Sequence, residues 1–135
     1  MEEPKEVISS LRFLNYKVNK LLFENNDNYK GTTITINFDI KNNVKINNVK
    51  NKMEIELSTN IFEKKQNAPF YMEVSITGLF ELIGEDDITK YQENAIAIMY
   101  PYLRAIVSTC TSSANVPPLI LPTINVNAML KKEKK

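Results

Sequence analysis

The sequence predicts an α+β domain in which a four-stranded antiparallel sheet carries its helices on one face. Two patterns and the lack of any division point to this. Apolar and polar residues alternate in four separate runs before residue 81, with the period of two that a half-buried strand requires. From residue 88 onward the apolar positions recur at steps of three and four, as in a helix. No internal repeat and no long linker divides the 135 residues, so a single domain is expected over 1–135.

The first strand is expected over about residues 8–24, where LRFLNYKVNKLLFE changes parity. Leu14, Tyr16 and Val18 share one alternation, and Leu21 and Phe23 take the other, which calls for a bulge or bend near Asn19 and Lys20. In the second strand, about 31–41, Ile34, Ile36, Phe38 and Ile40 face one way and Thr33, Thr35, Asn37 and Asp39 the other. The asparagine-rich NNVKINNVKN that follows reads as turn. The third strand, about 49–62, sets Met53, Ile55, Leu57, Thr59 and Ile61 against Glu54, Glu56 and Ser58. The fourth, about 69–80, sets Phe70, Met72, Val74, Ile76 and Phe80 against Tyr71, Glu73, Ser75 and Thr77. A long helix is expected over about 87–113, capped by Asp86 or Asp87. Pro101 removes a backbone donor and crowds the carbonyl four residues back, so a kink is expected there. A proline-rich loop over about 114–124, a short helix over about 125–131 capped by Asn125, and a solvated tail over about 132–135 complete the chain.

Composition narrows the function classes. Seventeen basic and sixteen acidic residues give a net charge of +1, too little to recruit nucleic acid or an anionic membrane by a global field. The chain has no histidine and one cysteine, Cys110, so it lacks the commonest general base, the commonest metal ligand and any internal disulfide. Its three glycines, at 31, 78 and 84, form no nucleotide-binding loop, and Glu85, Asp86 and Asp87 suit a helix start better than a metal site. A non-enzyme with no cofactor and no metal is therefore expected. Pro101 and Arg104 interrupt AIAIMYPYLRAIV, and MEEPKEVISSLRF reaches no apolar run of useful length, so the expectation is a cytoplasmic protein without membrane insertion.

The second half of the chain carries a family resemblance. FYMEV, followed by Gly78, Phe80 and Gly84, resembles the fourth strand of the SecB-type export chaperones. YPYLR is similar to that family's aromatic-P-Y-x-R, and PPLILPTINVNAML to its P-x-L-x-L, V/I-N and small apolar helix; in the first half, Leu22, Phe23 and Glu24 add a weaker match. The resemblance implies a SecB-like fold and an ATP-independent holdase that binds unfolded or precursor polypeptides and assembles as a dimer of dimers. It also implies an export ATPase as docking partner, although Lys20 stands where an acid is expected and KKEKK replaces the family's longer tail. Relatives dedicated to one partner, such as an antitoxin, give the alternative; a non-catalytic structural subunit is a further one.

Each candidate site carries two readings. In ANVPPLILPTINVNAML, Pro117, Pro118 and Pro122 hold Leu119, Ile120 and Leu121 extended, either as a short core segment or as a preorganised wall of a client groove. The groove reading adds Val116, Ile124 and Met129, and the resemblance, in whose family the loop joining the first two strands also borders the groove, implies Tyr29 from the ENNDNYKG loop. Met72, Val74 and Ile76 read as core or as an oligomer contact, which the resemblance extends to Tyr91, Ile98, Tyr102 and Ile106. Glu24, Tyr71 and Glu73 form either a solvated face or a partner-docking patch, Arg104 an anchor for loop carbonyls, and Cys110 a small apolar group.

Overall fold

The computed structural model describes residues 10–31, 36, 38–62 and 67–133, with the side chains of 131–133 excluded. Its elements are β1 (Leu11–Asn25), β2 (Phe38–Asn47), β3 (Lys52–Ile61), β4 (Phe70–Leu82), a 3₁₀ turn (Ile88–Tyr91), α1 (Gln92–Ser113) and α2 (Val126–Glu133). The four strands form one antiparallel sheet in the order β1-β4-β3-β2, with β1 and β2 at the edges.

Alternation decides which side chains face the helices. Met53, Ile55, Leu57, Thr59 and Ile61 of β3 are all buried, as are Phe70, Met72, Val74, Ile76, Phe80 and Leu82 of β4. Ile96, Met99, Leu103 and Val107 of α1 close this core from above, and Leu121 joins it. Gly78 lets the two layers meet, because a Cβ at that position would collide with Met99 Sδ. The opposite face of the sheet is polar, with Glu54 and Glu56 exposed and Glu73 half-buried.

Strand β1 crosses its partner with two register shifts. Pairs run Phe13↔Phe80, Asn15↔Leu79, then Val18↔Ile76, Lys20↔Ser75, which leaves Leu14 and Asn19 without counterparts. The irregularity at Asn19 lies where the parity change requires it, and the one at Leu14 is additional. Both act in one direction. They place Leu11, Phe13, Tyr16, Val18, Leu21 and Phe23 opposite the helix-facing residues of β4, so that β1 has an almost wholly apolar inner row.

Strand β2 differs from the expectation. It continues to Asn47 through residues read as turn, and Ile40, Val44 and Ile46 remain half-buried on the helix side. Pairing with β3 overrides the poor strand propensity of the asparagines, which an edge strand tolerates. The turn itself is residues 48–51: Asn47 Oδ1 accepts from Lys50 N at 3.2 Å, and Asn51 takes φ 52°, a conformation asparagine accepts more readily than most residues. The expected start of this strand, including Thr33, Ile34, Thr35 and Asn37, lies outside the described residues.

Asp87 is the cap, accepting from Thr89 N at 3.0 Å. Asp86 braces the same turn through Asp87 N, Lys90 Nζ and Tyr91 Oη. These hydrogen bonds hold both carboxyls below their ordinary range. Helix α1 runs unbroken through Pro101, whose ring is on the exposed side, where water can reach the freed carbonyl. Its end is a Schellman turn: Asn115 adopts φ 61°, its N–H donates to Ser112 O at 3.3 Å, and Val116 N–H donates to Thr111 O at 3.3 Å.

Candidate functional site

Helix α1 covers β3 and β4 and leaves the inner row of β1 only partly roofed. An open trench of about 620 Å³ results, with Tyr16, Val18, Leu21 and Phe23 on one wall and Tyr102, Ala105, Ile106, Thr109, Cys110, Ser113 and Ala114 on the other. None of these residues is charged. Tyr16, Val18 and Leu21 remain 40%, 46% and 51% exposed, which is costly for side chains of this size unless something covers them. The outward side of α1 is equally bare of charge: Ala97, Ile98, Pro101, Tyr102, Ala105 and Thr109 are exposed in sequence around it. One end of the trench is closed by an aromatic cluster, with Tyr16 tilted on Tyr102 at 4.7 Å and Phe13 edge-on to Tyr102 at 5.4 Å between ring centroids. Burial pushes the Cys110 thiol above its ordinary value, which keeps it protonated and apolar in the wall.

On the other flank of α1 lies the proline strap, residues 117–125, running antiparallel to the helix. Side chains at successive turns of α1 hold its backbone. Thr111 Oγ1 accepts from Leu119 N at 2.9 Å, Ser108 Oγ donates to Leu119 O at 3.0 Å, and Tyr100 Oη donates to Pro122 O. Asn127 of α2 then reaches Glu93 at 3.3 Å near the start of α1. Loop anchoring, expected of Arg104, is thus done by hydroxyls. Within the strap the three aliphatics separate: Leu121 is 1% exposed and belongs to the core, Leu119 is half-buried, and Ile120 is 69% exposed. Leu121 thus takes the core reading, while Ile120 keeps the surface position that the groove reading requires. Pro118 is exposed, and Val116, Ile124 and Met129 are half-buried. Tyr29 is half-buried in the β1–β2 loop, its N–H donating to Asn26 O at 3.1 Å and its ring lying over Gly31.

The oligomer candidates separate in the same way. Met72, Val74 and Ile76 lie in the chain's own core beneath α1 at 0%, 1% and 0% exposure, whereas Ile98 and Tyr102 are each 37% exposed and Ile106 lines the trench. Tyr91 is half-buried and tied to Asp86. On the outer face of the sheet, Glu24 pairs in register with Tyr71. Tyr71 Oη donates to Glu73, which also forms an ion pair with Lys20. That hydrogen bond is the main cause that pushes the Tyr71 phenol up to about 12. The trench was missed at the sequence level, although the parity change in β1 signalled its floor.

The chain matches the family model for preprotein translocase subunit SecB over residues 12–135, and it belongs to that family. It is 39% identical to an uncharacterised protein of Methanocaldococcus jannaschii over 96% of this chain and 87% of that protein. It is 31% identical to the protein-export protein SecB of Anaplasma phagocytophilum over 59% of this chain and 55% of that one. Among solved structures, the SecB-like chaperone of Mycobacterium tuberculosis, in complex with a ChAD peptide from the HigA1 antitoxin, shares the fold. The TM-score is 0.69 at 17% identity, covering 86% of this chain and 91% of that one. Family membership supports a chaperone role. Among the described residues no helix is long and apolar enough to cross a membrane.

Proposed function

We propose that this protein is an ATP-independent holdase of the cytoplasm that binds unfolded or precursor polypeptides through apolar side chains, without a catalytic step. The uncharged trench between β1 and α1 carries this reading, since its volume lies in the roughly 300–1,000 Å³ range of ligand clefts and its walls offer almost nothing but hydrophobic contact. Burying one client side chain of Leu or Phe size yields about 1.5–3 kcal/mol before ordering costs, so a single contact is weak and reversible. Several such surfaces in a homo-oligomer would hold one client about 10²- to 10⁴-fold more tightly than one alone. Ile98, Tyr102 and Ile106 supply the exposed apolar stripe for a dimer of dimers, with Met72, Val74 and Ile76 supporting it from the core. Ile120, Pro118 and Leu119 of the strap, with Val116, Ile124, Met129 and Tyr29, extend the client surface. The test is light scattering from a refolding client without nucleotide: suppression is expected near stoichiometry, and unchanged scattering at excess chaperone would reject the reading.

A second reading, service to one dedicated partner instead of general export, draws on the outer sheet face. Glu73 is already engaged by Lys20 and Tyr71, so the patch Glu24, Tyr71 and Glu73 offers less acidity to the export ATPase than its carboxylates suggest. The fold relative bound to an antitoxin peptide accords with this alternative. Affinity capture from the native host separates the two: many precursors together with the ATPase indicate export, and a single recurrent partner indicates dedication.

A further inference from the structure

Arg104 stands apart from the rest of α1. The helix has two charged residues in 22, Glu93 and Arg104, and Glu93 meets Asn127 while Arg104 meets no acid among the described residues. Among the described residues no carboxylate pairs with Arg104, and its Nε is withdrawn from solvent without a hydrogen-bond partner. A guanidinium remains charged at any physiological pH, so partial burial without a counter-ion leaves its hydrogen-bonding capacity unspent. Its position is set by its neighbours. Tyr100 and Ser108, one turn before and one turn after, hold the carbonyls of Pro122 and Leu119, which places Arg104 against the stretch of strap between them. That stretch contains Ile120, the most exposed aliphatic of the strap. Burial raises the Tyr100 phenol above its ordinary value, and the nearby Arg104 charge opposes that rise in part.

We propose that Arg104 receives a carboxylate from the bound polypeptide, an acidic side chain or a free chain end, lying next to an aliphatic residue that packs on Ile120. This rests on the holdase reading and adds a charge preference to it. An apolar surface by itself cannot distinguish Glu from Gln, whereas an unpaired guanidinium beside it can, through a bidentate hydrogen-bonded pair.

The test uses short unfolded peptides, acetylated, amidated and fluorescently labelled, identical apart from Glu or Gln beside an Ile-Leu pair. A third peptide has Gln and a free terminal carboxylate. The wild-type protein should bind the Glu peptide about three- to tenfold more tightly than its Gln twin, with an advantage that shrinks as salt is added. A like advantage for the third peptide alone assigns the site to chain ends. Arg104→Met, which keeps the apolar stem, should erase the preference and leave the Gln peptide's affinity unchanged, and Arg104→Lys should retain part of it. Equal binding of all three by wild type overturns the proposal while leaving the holdase reading intact, as does a preference that survives Arg104→Met. Failure to bind any of them overturns both. The comparison on wild type stands even if a substitution prevents folding.

Discussion

Neighbouring residues of the strap do opposite work. Leu121 is a latch in the core and Ile120 a contact in water, so their truncations should separate stability from binding. Leu121→Ala is expected to cost about 2–5 kcal/mol in chemical denaturation. Ile120→Ala should leave stability within about 0.5 kcal/mol and weaken capture of an unfolded client. Tyr71 provides a second residue-scale test. Its phenol is raised from 10.0 to about 12, chiefly because the protonated hydroxyl donates to Glu73. The folded state therefore favours the neutral phenol, and this contribution is complete below pH 10 and fades as pH climbs through about 12. Glu73→Gln should return the tyrosinate absorbance transition of Tyr71 toward the ordinary value; an unmoved transition would assign the shift to another cause.

Among the elements, β1 shows how much can be read from a one-dimensional pattern. Asn19 is the residue that the sheet leaves unmatched, so deleting it should realign the flanking pairs, keeping Val18 and Leu21 facing the helix. Deleting Leu22 from the regular stretch should instead send Phe23 to the outer face and lose about 1.5–3 kcal/mol of burial. Denaturation midpoints of the two deletions would rank them. The alternations of β3 and β4 and the spacing of α1 were legible because each records one face against one core. The bulge at Asn19 was legible as a clash of parity. The second one at Leu14 went unread, although Leu11 and Phe13 against Tyr16 and Val18 show the same change of parity. The true length of β2 was hidden by its asparagines, whose propensity speaks for turn while cross-strand pairing decides for strand. Of the trench only the floor was legible, in the parity change of β1; its open roof was not, because fully roofed and half-roofed strands are written in the same alternation.

For the whole molecule, the charge-poor side of α1 and the exposed inner row of β1 together form one apolar surface, on which the proposed assembly can be tested. Ile98→Asp and Tyr102→Asp place a carboxylate where apolar contact is expected, while both side chains are exposed enough for the subunit itself to fold. Native mass spectrometry should show these variants as smaller assemblies than the unaltered protein, and an unchanged mass would remove Ile98 and Tyr102 from the interface. The other border of the sheet has the opposite character. Strand β2 ends it with Asp39, Lys41, Asn43, Lys45 and Asn47 on one side, and among the described residues no strand pairs with its outer rim. A protein acting as the proposed holdase would run the danger of becoming a template for its clients, one ladder of amides recruiting the next. Ammonium groups spaced along that rim oppose such zippering, so the same sheet that leaves β1 open for company keeps β2 solitary.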